Sequence, residues 1–80
     1  MRIYDTCQAM ARQKLGLDGT YSLTHIELLP HLPDTWRRVK VCLGQRMPRT
    51  GRQKYDRWND LQWVELYRLE IEAFPGYEPA

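Results

Sequence analysis

Apolar residues recur at helical spacing near the start of the chain, where Ile3, Cys7, Met10 and Ala11 share a stripe and Arg2, Gln8, Arg12 and Lys14 lie off it. With Gly16 as a stop signal, this spacing predicts a first helix over residues 2–14. Leu17-Asp18-Gly19-Thr20 reads as a turn, and Tyr21-Ser22-Leu23 as a very short extended segment. Thr24 followed by Glu27 forms a capping box, and Leu23 with Leu28 supplies a hydrophobic staple across it, so a second helix is expected to begin at Thr24. It should be short, because Pro30 removes a backbone donor and Pro33 follows.

Asp34 can cap a third helix running to about Met47. At about 100° per residue, Trp36, Val39, Cys42, Leu43 and Met47 fall on one arc. Arg37, Arg38, Val41 and Gln45 fall on the opposite arc with Lys40 at its edge, while Arg46 lands among the apolar residues. Gly44 weakens such a helix. After the break at Pro48-Arg49-Thr50-Gly51, two readings stay open. Strand-forming residues over 52–58 and 62–71, with Asn59-Asp60 as a turn, favour a β-hairpin. Leu61, Val64, Tyr67, Ile71 and Phe74 also fit one face of a fourth helix. Residues 75–80 read as an irregular tail.

Eighty residues make one domain, 1–80, and three Trp and five Tyr give it large side chains for a small core. The net charge of +2 matters less than its distribution. Eight cations, Arg37, Arg38, Lys40, Arg46, Arg49, Arg52, Lys54 and Arg57, lie within 21 residues whose only acid is Asp56. The acids gather elsewhere, notably at Glu65, Glu70, Glu72 and Glu78, and this asymmetry predicts an anion-facing side.

Candidate chemistry is sparse. Cys7 and Cys42 stand alone, and His25 and His31 have no partners at metal-ligand spacing, so no disulfide framework, metal or cofactor is expected. Cys42 reads as a small core residue. Ser22 has no His or acid arranged around it, and no Gly-rich segment opens a helix, so an enzyme is not expected. No membrane-spanning run or signal-peptide core is visible, which gives the expectation of a complete cytoplasmic protein. Trp36 and Trp63 are expected in the core, with Trp58, between Arg57 and Asn59, less settled.

The stretches "SLTHIELL", "PDTWRRVKVCLGQRM" and "RTGRQKYDRW…WVELYRLE" together resemble a winged helix-turn-helix domain, at the level of pattern and over most of residues 22–70. The resemblance implies an α+β fold of three helices plus a C-terminal β-hairpin, the alternative being an all-α four-helix domain. It also implies a third helix in a DNA major groove and a hairpin, or wing, along the backbone. Arg37, Arg38, Lys40, Val41 and Gln45 would then lie on the recognition helix, and Arg49, Arg52, Lys54 and Arg57 on the wing.

The function expected on this reading is a non-enzymatic binder of double-stranded DNA, either a small transcriptional regulator or an accessory factor of a mobile element. The alternative is a phage-encoded, anti-CRISPR-like inhibitor that binds a protein within a host nucleoprotein complex. Homodimerisation is left open.

Overall fold

The computed structural model describes residues 1–29, 36–48, 51–52 and 57–79. Helix α1, Ile3–Leu15, is followed by strands β1 (Tyr21–Leu29), β2 (Arg38–Met47) and β3 (Arg57–Tyr67), and then by the short helix α2 (Arg68–Glu72). The strands form one antiparallel sheet in the order β1-β2-β3, with α1 packed across all three.

Helix α1 forms where the apolar spacing predicts it. Cys7, Met10 and Ala11 are buried on its stripe, and Gly16 ends it in the left-handed region at φ 66°, a conformation that suits glycine. Gln8 and Arg12 then tie the helix to the sheet. Gln8 Oε1 accepts from the Leu23 N–H at 2.8 Å, and Arg12 Nε donates to the Tyr21 carbonyl at 2.7 Å.

Strand β2 is the centre of the sheet. Its sequence Arg38-Val39-Lys40-Val41-Cys42-Leu43 alternates, and a strand sends alternate side chains to opposite faces. Val39, Val41 and Leu43 face α1 and are fully buried. Opposite them lie Leu28, Ile26 and Leu23 of β1 and Leu66, Val64 and Gln62 of β3. Ile71 of α2 closes the same core. At the N-terminus of α2, Glu70 accepts from the Tyr67 N–H at 2.8 Å and from Lys14 of α1 at 2.8 Å. Partial burial opposes ionisation of Glu70, but these two hydrogen bonds and the lysine charge outweigh it and lower the carboxyl pKa.

Two irregularities shape the sheet. The β1 register slips at Thr24, whose hydroxyl donates to the Cys42 carbonyl at 3.2 Å. In β3 the residues Asp60 and Leu61 oppose the single Gly44 of β2, and Asp60 takes φ 52°. That is a β-bulge, and bulges bend and twist a strand. Residues 75–79 lie in neither helix nor strand, and Tyr77 packs against the core.

This architecture corrects the expected winged helix-turn-helix and the four-helix alternative alike. The segment after the capping-box pattern is β1: Thr24 and Glu27 satisfy a local motif, but pairing along the whole strand competes with it and wins. The expected third helix is β2 over its described part, with Asp34 outside the described residues. The β-branched Val39 and Val41 suit a strand, and alternation buries Val41, which the helical arc had set on the basic side. Asn59-Asp60 is no turn: Asn59 pairs with Gln45 and Asp60 belongs to the bulge inside one long strand, β3, so the hairpin is β2–β3, with β2 ending at Met47 and β3 beginning at Arg57.

The two faces of the sheet differ sharply in what they contribute to stability. Leu43→Ala should destabilise the protein by about 2–5 kcal/mol, the usual range for emptying a closed core site. Leu61→Ala, at a position 56% exposed, should stay within about 0.5 kcal/mol. Urea unfolding of both variants measures the contrast.

Candidate nucleic-acid interface

The sheet face turned away from α1 is not covered by either helix. Residues of one cross-strand row share a face, so β2 presents Arg38, Lys40, Cys42, Gly44 and Arg46 there. From β1 come Glu27 opposite Lys40 and His25 opposite Cys42. From β3 come Tyr67, Glu65, Trp63 and Trp58, opposite Arg38, Lys40, Cys42 and Arg46.

Trp63 lies on this face because Val64, its neighbour, pairs with Val41 on the helix side, and adjacent residues in a strand point oppositely. It is 45% exposed, which corrects its expected place in the core. The His25 ring meets it edge-on at 5.5 Å between centroids, and Lys40 Nζ sits 5.1 Å from the ring centroid. Together these contacts hold the indole in place, the cation–π contact at an exposed site contributing about 0.5–1 kcal/mol. Cys42, in the same row between His25 and Trp63, is buried. It is thus a small buried residue as expected, but on the side of the sheet away from the main core.

Nearer the hairpin tip the face becomes apolar around Gly44. A Cβ at that position would meet Leu61 Cδ2 at 2.8 Å, Thr24 Cγ2 at 3.2 Å and Trp58 Cβ at 3.3 Å. The missing side chain lets those three residues converge, with Trp58 42% and Leu61 56% exposed.

Charge divides the face into two halves. In the half near Arg38, two cations meet two acids: Arg38 pairs with Glu65 at 3.6 Å, and Lys40 has Glu27 and Glu65 as its strand neighbours. The other half contains Arg46, Trp58, Leu61, Trp63 and His25 and continues into the hairpin arm. The sequence over residues 46–57 has Arg46, Arg49, Arg52, Lys54 and Arg57 against the single acid Asp56, and of these Arg49, Lys54 and Asp56 lie outside the described residues. Arg46, Met47, Arg52, Arg57 and Trp58 are exposed there.

The base of the arm is clamped to β1. Tyr21 donates its hydroxyl hydrogen to Asp60, and Gln62 Nε2 donates to the other carboxylate oxygen at 2.7 Å. The Tyr21 bond, followed by that of Gln62, lowers the Asp60 pKa, and the same bond to Asp60 is the largest cause raising that of Tyr21. Gln45 joins this region from the helix side, donating to Thr20 Oγ1 at 3.1 Å.

The residues expected to bind DNA are thus divided by the sheet. Arg38 and Lys40 lie on the uncovered face. Arg37, just before β2, is exposed, and its carbonyl accepts from the Arg68 N–H at 2.8 Å. Val41 is fully buried and cannot touch a ligand, and Gln45 is turned to the helix side. Arg52 and Arg57 are exposed on the arm, while Arg49 and Lys54 lie outside the described residues. Residues 37–45 therefore form no single recognition surface. Sequence reasoning missed Trp63 and Leu61 as surface residues. The signal for them was the alternation around Val64 and Leu66, which a helical reading hides.

Among the described residues, no group of three or more His, Cys, Asp or Glu side chains is placed to hold a metal ion. No helix of these residues is long and apolar enough to cross a membrane. Both cysteines are free and buried, and burial pushes the Cys7 thiol up to about 11.

The clamp has a definite pH signature. Asp60 is lowered in the folded state, so its contribution is full above the ordinary aspartate value of 3.8 and is lost as pH falls through the lowered value. Tyr21 is raised, so its contribution is full below 10.0 and is lost as pH rises through the raised value. Tyr21→Phe should move the Asp60 titration midpoint back up toward 3.8, as read by carboxyl-carbon NMR, and should speed amide exchange in the arm. No protein-family model, curated protein or solved structure matches the chain.

Proposed function

We propose that this protein is a non-enzymatic nucleic-acid-binding protein, a small regulator or accessory factor acting on double-stranded DNA. In this reading it holds the polyanion with its β2–β3 arm and not with a recognition helix. The observation that carries the reading is the charge of the arm, five cations against one acid over residues 46–57, continuous with exposed aromatic surface at Trp58. Shape supports it as well. A major groove about 12 Å wide admits a two-stranded ribbon, and beyond the bulge Gln45, Arg46 and Met47 pair with Asn59, Trp58 and Arg57 as the start of one. Its arginines and lysine would contact phosphates and set affinity, while sequence choice would require further contacts to base edges.

A second reading, an inhibitor that binds a protein of a host nucleoprotein complex, is favoured by one separate observation. Beside α1 and the edge strand β1 runs an open groove of about 610 Å³, lined in part by Ile3, Tyr4, Ile26, Leu28 and Trp36. Such an apolar groove suits a protein segment better than a phosphate backbone.

Fluorescence anisotropy with generic duplex DNA at two salt concentrations tests the first reading. Affinity should fall steeply with salt, by about 0.9 in log-log slope for each phosphate neutralised. Replacing Arg49, Arg52 and Lys54 together by Ala should flatten that slope by about 2–3. Absence of salt-sensitive binding at low ionic strength rules the reading out. A stable protein partner whose binding survives the triple substitution would establish the second reading in its place.

A further inference from the structure

We infer that the uncovered sheet face takes unpaired nucleobases, so that the protein binds single-stranded nucleic acid across Trp63, Leu61 and Trp58. This rests on the nucleic-acid reading above and adds to it a class of ligand.

Four features of the face carry the inference. First, its large apolar side chains include two indoles. Trp58 and Trp63 are 42% and 45% exposed, and their register opposite Arg46 and Cys42 sets them four rows, roughly 13 Å, apart, far enough for different bases to occupy them. Exposed aromatic rings beside cations are the arrangement by which single strands are held without sequence preference, because every base offers a flat face.

Second, the Trp63 ring is already oriented by the His25 edge at 5.5 Å, so little freedom is lost when a base stacks on it. Third, a cation stands beside each indole: Lys40 Nζ is 5.1 Å from the Trp63 centroid, and Arg46 is directly opposite Trp58 in the strand register. A base that displaces Lys40 from the ring leaves the ammonium near the phosphate of the same nucleotide, and the cation–π contact is thereby exchanged for stacking and ion pairing.

Fourth, the acids confine the ligand to one half. Glu27 and Glu65 flank Lys40 in the strand register, and Glu65 also pairs with Arg38, so a strand's phosphates are disfavoured over that half of the face. Three paired strands, at about 4.8 Å apart, present too broad a surface to enter a groove edge-on. Unpaired bases can lie on it.

The test uses three labelled probes at low salt: an oligothymidylate of about 12 nucleotides, an abasic sugar-phosphate chain of equal length, and a duplex of the same charge per strand. The oligothymidylate should bind at least about 10-fold tighter than the abasic chain and should quench tryptophan fluorescence. Trp58→Ala and Trp63→Leu should each weaken it by roughly 5- to 100-fold with no change on the abasic chain. Leu at position 63 keeps apolar cover over Cys42, and circular dichroism checks the fold of both variants. The triple Ala substitution at Arg49, Arg52 and Lys54 should weaken binding of all three probes. Equal affinity for the based and abasic chains, or no effect of either tryptophan substitution in a folded protein, overturns the inference. If salt-sensitive duplex binding persists in that case, the polyanion reading stands without it. Failure to bind any of the three probes overturns both.

Discussion

Val41 lies at the centre of the sheet, between Ile26 of β1 and Val64 of β3, and has no exposed surface. The row of three is covered by α1 through Cys7, Met10 and Ala11. Val39 and Leu43 repeat the arrangement on either side. In a chain of 80 residues there is little other apolar surface to bury, and burial per unit area is the main force holding so small a domain together. The requirement that Val39, Val41 and Leu43 all face α1 fixes β2 as a strand, places it between two partners, and forces the intervening Arg38, Lys40 and Cys42 to the other side.

The uncovered face follows from that constraint. Neither helix crosses to it, so Trp63, Leu61 and Trp58 stay in contact with solvent, and cations of the central strand stand among them. Gly44 and the bulge at Asp60 and Leu61 continue the face into the arm. There the Tyr21 and Gln62 hydrogen bonds to Asp60 hold the β3 bulge against β1.

Local signals in the sequence had uneven value. The stripe of α1 and its Gly16 terminator were legible, because the hydrogen bonds of a helix join residues only four apart. The capping-box pattern at Thr24 and Glu27 was equally local and did not decide the structure. Thr24 instead bonds the Cys42 carbonyl, 18 residues away, and Glu27 stands opposite Lys40. Over residues 36–47 both periods were present: Val39, Cys42 and Leu43 satisfy a helix, and Val39, Val41 and Leu43 satisfy a strand. The β-branched pair and Gly44 weighed toward the strand. Full burial of Val41 depends on β1 and β3 as partners, which no short window contains.

By itself the sequence determined the first helix, the concentration of cations between Arg37 and Arg57, and the lack of a recognisable catalytic or metal-binding motif. Those are properties of composition and of neighbours along the chain. Tertiary structure decided which residues face outward: it buried Val41, turned Gln45 toward Thr20, and brought Trp63 out beside Lys40 and His25. The physical reason is that a strand's side chains alternate with a period of two, so a shift of one residue in pairing exchanges the faces. The slip at Thr24 and the bulge at Asp60 and Leu61 set that pairing, and both arise only when the three strands meet.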